Sequence, residues 1–178
     1  MNSAIDMIKN RRSVRSFKDD MPPREVLDQI LEAGTYAATG MNRQSPIILA
    51  VTNRALRDRL SAINAQILNS MGRDGSHDPF YGAPVVLVVL ADRNVPTCIH
   101  DGSLVMGNLM LAASELGVGS CWIHRAKETF ETEEGLAILR DLGVEGDYVG
   151  VGNCVLGYPQ GEIPAAKPRK ASYVYRAE

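Results

Sequence analysis

Cysteine is scarce in this sequence. Its three copies, Cys98, Cys121 and Cys154, are odd in number, far apart and never in a CxxC pair. That pattern excludes a disulfide framework and points to a reducing, cytoplasmic setting, with each thiol expected as a small buried side chain. Long apolar runs are missing too. The longest, Pro84–Ala91, falls far short of the roughly 20 residues that cross a bilayer, so no membrane partner is expected. Residues Met1–Asn10 lack a basic head and apolar stretch, so they are not expected to be a signal peptide. Charge of one sign is absent as well: 19 Lys and Arg stand against 21 Asp and Glu, a net charge of −2. Nothing global therefore invites nucleic acid, and any positive site has to be local.

The common catalytic signatures are also absent. There is no GxSxG, Walker loop or HExxH, and no Cys–His pair at a recognisable spacing. His77, His100 and His124 are too scattered for a metal site, so no metal is expected and no side-chain acid or base stands out.

What remains is a chain of 178 residues, 45% hydrophobic and 22% charged, suited to one domain over residues 1–178. Ser3 before Ile5, Met7 and Ile8 predicts a short capped helix. Pro22-Pro23 opens a second, with Val26, Leu27, Ile30 and Leu31 on one face. Ile47–Thr52 and the unalternating Pro84–Ala91 predict strands, the latter covered on both faces. Helices are expected over 54–71, 100–116 and 131–142, and strands over 119–124 and 148–156. Gly72–Gly82 reads as a loop, and Ser172–Tyr175 as a final strand-like piece. The fold class is α+β, one domain built on a small sheet.

Four clusters invite chemistry. In Arg11-Arg12-Ser13-Val14-Arg15, guanidinium forks and a hydroxyl suit a phosphoester. In extended chain residues 11, 13 and 15 share one side. The same residues also suit a solvated basic helix end. Thr39-Gly40-Met41-Asn42-Arg43-Gln44 fits either a heterocycle needing hydrogen bonds or a plain turn. Gly117–His124 lacks GxGxxG spacing and follows a helix, so it is no dinucleotide fingerprint; its glycines allow a ring to approach, or simply pack. Lys167-Pro168-Arg169-Lys170 is a second phosphate clamp or a solvated tail.

In this order the four clusters resemble the nitroreductase family of FMN enzymes. Asn108–Ala113, Gly119-Ser120-Cys121-Trp122-Ile123 and Gly157-Tyr158-Pro159 extend the likeness over nearly the whole chain. The resemblance implies a central mixed sheet flanked by helices in an intertwined homodimer, with FMN at the subunit interface. It places Arg11, Arg12 and Ser13 on the FMN phosphate, with Lys167 and Arg169 closing from the tail. Arg15 falls near the pyrimidine edge, and Thr39, Gly40, Asn42 and Gln44 come from the partner subunit. Trp122, Ile123 and His124 lie where the chain approaches flavin N5. The implied reaction is ping-pong hydride transfer from NAD(P)H to a nitroaromatic, quinone or similar small acceptor. A flavin-storage protein, or a same-fold enzyme of reductive dehalogenation, is the alternative. The chain departs from the family pattern at Ala38, Ser45-Pro46, Gly107 and His124.

Overall fold

β2 (Val85–Asp92) explains the arrangement of the rest. Val86, Val88 and Leu90 point to one side of the sheet, and Val85, Leu87, Val89 and Ala91 to the other. All are fully buried, so an unbroken apolar run is what a strand covered on both faces requires. Each such side chain contributes roughly 1.5–3 kcal/mol when removed from water. The computed structural model describes residues 3–177. β2 lies inside a sheet of order β1-β2-β4-β3, with β1 (Pro46–Val51), β4 (Tyr148–Gly157) and β3 (Gly119–Ile123).

Every neighbouring pair of strands is antiparallel. The parallel part of the expected mixed sheet is confined to one bridge, Ser13 to Ser120, along the outer edge of β3. One face is covered by α3 (Arg54–Ser70), α5 (Ala126–Thr129) and α6 (Glu133–Asp141), which bring Leu60, Ile63, Ala126, Phe130 and Ile138. The other is covered by α2 (Arg24–Thr35) and α4 (Cys98–Glu115), through Leu27, Ile30, Met106 and Leu109. The pairing of β2 with β4 slips between Val89 and Leu90, leaving Val151 bulged. Gly102 of α4 sits against that residue, since a Cβ there would lie 2.5 Å from Val151. On the opposite face Gly150 meets α5, a Cβ being only 2.2 Å from the Ala126 carbonyl.

The opening helix α1 (Ala4–Asn10) carries the expected Ser3 cap, reciprocated by Asp6. α5 was not anticipated by periodicity. The segment expected as strand-like at Ser172–Tyr175 is instead a 3₁₀ turn, Ala171–Tyr173, followed by extended chain. It pairs with no strand of this chain, so no ladder draws it into extended form. No helix among the described residues is long and apolar enough to cross a membrane.

Candidate active site

The arginine-rich segment is pinned along the edge of the sheet. Val14 donates its N–H to the Ser120 carbonyl, Lys18 to Tyr158 and Gln160 to Ser16, each at 2.9 Å. Val14 and Phe17 turn inward and are buried. Alternation about Val14 turns its neighbours Ser13 and Arg15 the other way. The Cys121 thiol registers both, and Arg11 with them. Burial pushes its pKa up, while Arg15, the Ser13 hydroxyl and Arg11 pull it down. Cys154, buried behind it, is pushed up to about 12, chiefly by burial.

Arg12 faces differently. Its Nη1 donates to the carbonyls of Lys9 (2.6 Å) and Arg11 (2.8 Å), closing the end of α1. This is the helix-end role that a basic segment also suits. Arg11 Nη1 and Arg12 Nε are buried and have no hydrogen-bond partner among the described residues. Charged donors left unpaired inside a protein cost more than 1 kcal/mol each, so these atoms call for an acceptor from outside the chain. A phosphate fits that donor set.

Beside this segment opens a cleft of about 470 Å³. Arg15, Trp122, Ile123 and His124 line it, together with Arg73, His77, Tyr81 and Arg125. Past Ser120 the outer edge of β3 pairs with no strand among the described residues. An unpaired strand edge presents backbone donors and acceptors to whatever lies against it. Trp122 Nε1 is buried without a partner, close against Gly152, where a Cβ would lie 2.6 Å away.

The turn after β3 is held from below. Asn64 of α3, 0% exposed, donates to the His124 carbonyl at 2.9 Å and accepts from Arg125 Nε at 2.9 Å. Asn153 of β4 donates to the carbonyls of Ile123 and His124 at 3.4 and 3.3 Å. These amides were hidden in the sequence. Asn64 interrupts the apolar stripe of α3 and Asn153 the apolar run of β4, and those interruptions were the available signal. The loop across the cleft is tied down by Asp78, which accepts from Arg57, Ser61 and the N–H groups of Phe80 and Gly82. Burial raises the Asp78 pKa, but these donors outweigh it and hold the carboxyl below its ordinary value.

The turn from Thr39 to Gln44 does not line this cleft. It stands on the surface in a demanding conformation: Met41, Asn42 and Gln44 all have φ near +50°. Asp101, 3% exposed, anchors it by accepting from Gly40 N–H (3.0 Å), Ser45 Oγ (2.8 Å) and Thr97 Oγ1 (3.0 Å). Burial raises the Asp101 pKa, and the three donors bring it below 3.8. Within the turn the Gln44 N–H donates to Thr39 Oγ1, and its side-chain amide to Asn42. Gly40 is needed because a Cβ would lie 2.4 Å from Thr97 Oγ1. Asp101 lies about 60 residues from the Gly40 and Ser45 that it holds, a link no local pattern carries. Met41 at the tip is 87% exposed. Lys167 and Arg169 also stand apart, on a tail exposed throughout from Gln160 to Ala177.

Comparisons with known proteins agree with this architecture. The model of the nitroreductase family matches residues 8–158. The chain belongs to that family. A crystal structure of a nitroreductase with bound FMN from Bacteroides fragilis superposes with a TM-score of 0.90 at 30% identity, covering 100% of both chains. Two archaeal relatives are provisionally named NADH dehydrogenase/NAD(P)H nitroreductase. The one from Methanothermobacter thermautotrophicus is 27% identical over 122 residues, 66% of this chain and 59% of its own length. The one from Archaeoglobus fulgidus is 29% identical over 168 residues, 91% of this chain and 88% of its own.

Proposed function

We propose that this chain is an FMN-dependent oxidoreductase that accepts hydride from NAD(P)H and delivers it to a nitroaromatic, quinone or similar small acceptor, acting as a homodimer. The observation that carries this reading is the pair of buried, unpartnered guanidinium nitrogens of Arg11 and Arg12 beside Ser13. The FMN carried by the Bacteroides fragilis relative offers the phosphate they lack. Bound FMN supplies reversible hydride exchange at N5.

This chain's residues do the binding and the orienting. Arg11, Arg12 and Ser13 grip the phosphate, and Lys167 and Arg169 close on it from the tail. Arg15 places a permanent cation in the cleft and favours negative charge at the pyrimidine edge of the ring. The open edge of β3 around Trp122, Ile123 and His124 orients the heterocycle. Donor and acceptor take turns in the same cleft, so a ping-pong order follows. The side chains are not asked for proton chemistry, in keeping with the absence of a catalytic dyad.

Thr39, Gly40, Asn42 and Gln44 serve the partner's site in this reading. Its support is a rigidly anchored turn with nothing of its own chain to serve, and a set of exposed apolar side chains. Ile5, Ile8, Tyr36, Met41 and Tyr175 are all exposed, a surface that dimerisation would cover. A reducing, cytoplasmic setting belongs to the same reading and is supported by three free, buried cysteines.

Stopped-flow mixing of the FMN-loaded protein with NADH and NADPH tests the activity. Bleaching of the oxidised flavin, then recovery with a quinone or nitroarene, is expected. A flavin left oxidised by both nucleotides would mark a storage protein instead.

A further inference from the structure

The cleft holds more positive charge than a flavin accounts for. Three guanidinium groups line it, those of Arg15, Arg73 and Arg125. None forms a salt bridge among the described residues. The acids on the same walls are already engaged. Asp78 is taken by Arg57, Ser61 and two backbone N–H groups. Asp74 accepts from the Ser76 N–H and lies 3.9 Å from His77. Glu128, outside the lining, raises the Arg125 pKa, but burial and the repulsion of Arg73 outweigh it.

Arg125 is placed with care. Its backbone sits at φ 75°, ψ 15°, a left-handed conformation that a long side chain rarely adopts. Asn64 and Asn153 hold the preceding carbonyls, and Asn64 also takes Arg125 Nε. That contact fixes the guanidinium plane through one edge and leaves the two terminal nitrogens for a ligand. Arg73, exposed just past the end of α3, lines the same cleft and acts on Arg125 as a like charge. Two like charges brought near each other and left unneutralised are stabilised by an anion between them. A fork of donors matches an oxyanion best.

We infer that Arg125 and Arg73 form a recognition site for an oxyanion on the second substrate, either the 2′-phosphate of a hydride donor or a carboxylate on the acceptor. The inference rests on the cleft being the hydride-transfer site proposed above, with Arg15 committed to the flavin. Arg125 and Arg73 then set substrate class and play no part in holding the cofactor.

Binding to the FMN-loaded protein, followed by perturbation of the flavin spectrum, tests this with two matched pairs. One is NADP⁺ against NAD⁺, the other 4-nitrobenzoate against 4-nitrobenzamide. The wild type is expected to favour the member carrying the extra oxyanion, NADP⁺ or 4-nitrobenzoate, in at least one pair by roughly tenfold or more. Arg125→Gly, which suits the left-handed backbone and so preserves the turn, and Arg73→Gln, on an exposed loop, should each remove most of that preference. FMN retention should not change. Loss in the nucleotide pair assigns the site to the donor phosphate; loss in the benzoate pair assigns it to an acceptor carboxylate. Equal binding within both pairs by the wild type would overturn the inference, as would loss of FMN in either variant. Failure of the wild type to hold FMN at all would strike the underlying functional reading instead, and its absorbance reports that before any ligand is added.

Discussion

Both ends of this chain carry a cluster of cations, and the fold treats them in opposite ways. The segment from Arg11 to Lys18 is stitched to the edge of β3 through Val14 and to the segment after β4 through Ser16 and Lys18, with Val14 and Phe17 as buried pegs. Lys167 and Arg169 ride on an exposed tail with no hydrogen bond or salt bridge of their own among the described residues. In the proposed reading the first cluster would be a preorganised half-site whose ordering cost is met in folding. The exposed second cluster would lose conformational freedom on closing over the phosphate.

The contrast can be broken most sharply at Gly119. A Cβ there would lie 2.9 Å from Val14 Cγ2 and 3.1 Å from the Gly157 carbonyl. Gly119→Val should push the arginine segment off the sheet, lowering stability by about 3 kcal/mol through overpacking. Chemical denaturation reads that loss, and FMN binding should disappear with it. On the tail Ala166→Val should leave stability within about 0.5 kcal/mol.

Single cations come next. Arg11→Ala and Arg169→Ala should each weaken FMN binding by roughly tenfold to a hundredfold, the loss of a charge-assisted contact. Equilibrium dialysis measures both. Arg169→Ala should leave the unfolding free energy within about 0.5 kcal/mol, since its side chain is exposed. Arg11→Ala removes a buried unpaired donor and should raise the unfolding free energy of the flavin-free protein by about 1 kcal/mol.

Acid separates the regions more gently. The arginine segment is pinned by backbone bonds that no proton touches, whereas the Thr39–Gln44 turn is pinned through Asp101. The folded pKa values of Asp101 and Asp78 lie below 3.8. Their contributions are complete above that value and are lost as pH falls through the lower, folded ones. Hydrogen exchange should therefore show the turn and the loop over 72–82 loosening below pH 3.8 while Val14 N–H stays protected. Asp101→Asn should release the turn at neutral pH.

Much of the frame was legible in the sequence. The apolar stretch from Pro84 could only be a strand covered twice, and the stripes of α2 and α3 follow helical spacing. Ser3 announced its own helix cap. Other parts were hidden for identifiable reasons. Residues at positive φ are commonly glycine, yet here Met41, Asn42, Gln44 and Arg125 adopt it, and only contacts from Asp101 and Asn64 make that tolerable. Those contacts span about 60 residues of sequence, beyond any local pattern. α5 is too short to show a period, and its start is set by the left-handed Arg125. For the proposed site, the arginine cluster was visible in the sequence as either a phosphate clamp or a basic helix end. The cleft arginines Arg73 and Arg125 were not, because nothing in a linear reading brings a loop and a strand end into one cleft.

The central claim is that cations from both ends of the chain meet one phosphomonoester, and comparing FMN with riboflavin tests it most directly. Fluorescence titration should show wild-type protein binding FMN at least a hundredfold more tightly than riboflavin, two charge-assisted contacts of about 1.5 kcal/mol each sufficing. Arg11→Ala and Arg169→Ala should each erode that preference while leaving riboflavin affinity unchanged. Equal affinity of the wild-type protein for the two flavins would contradict the account.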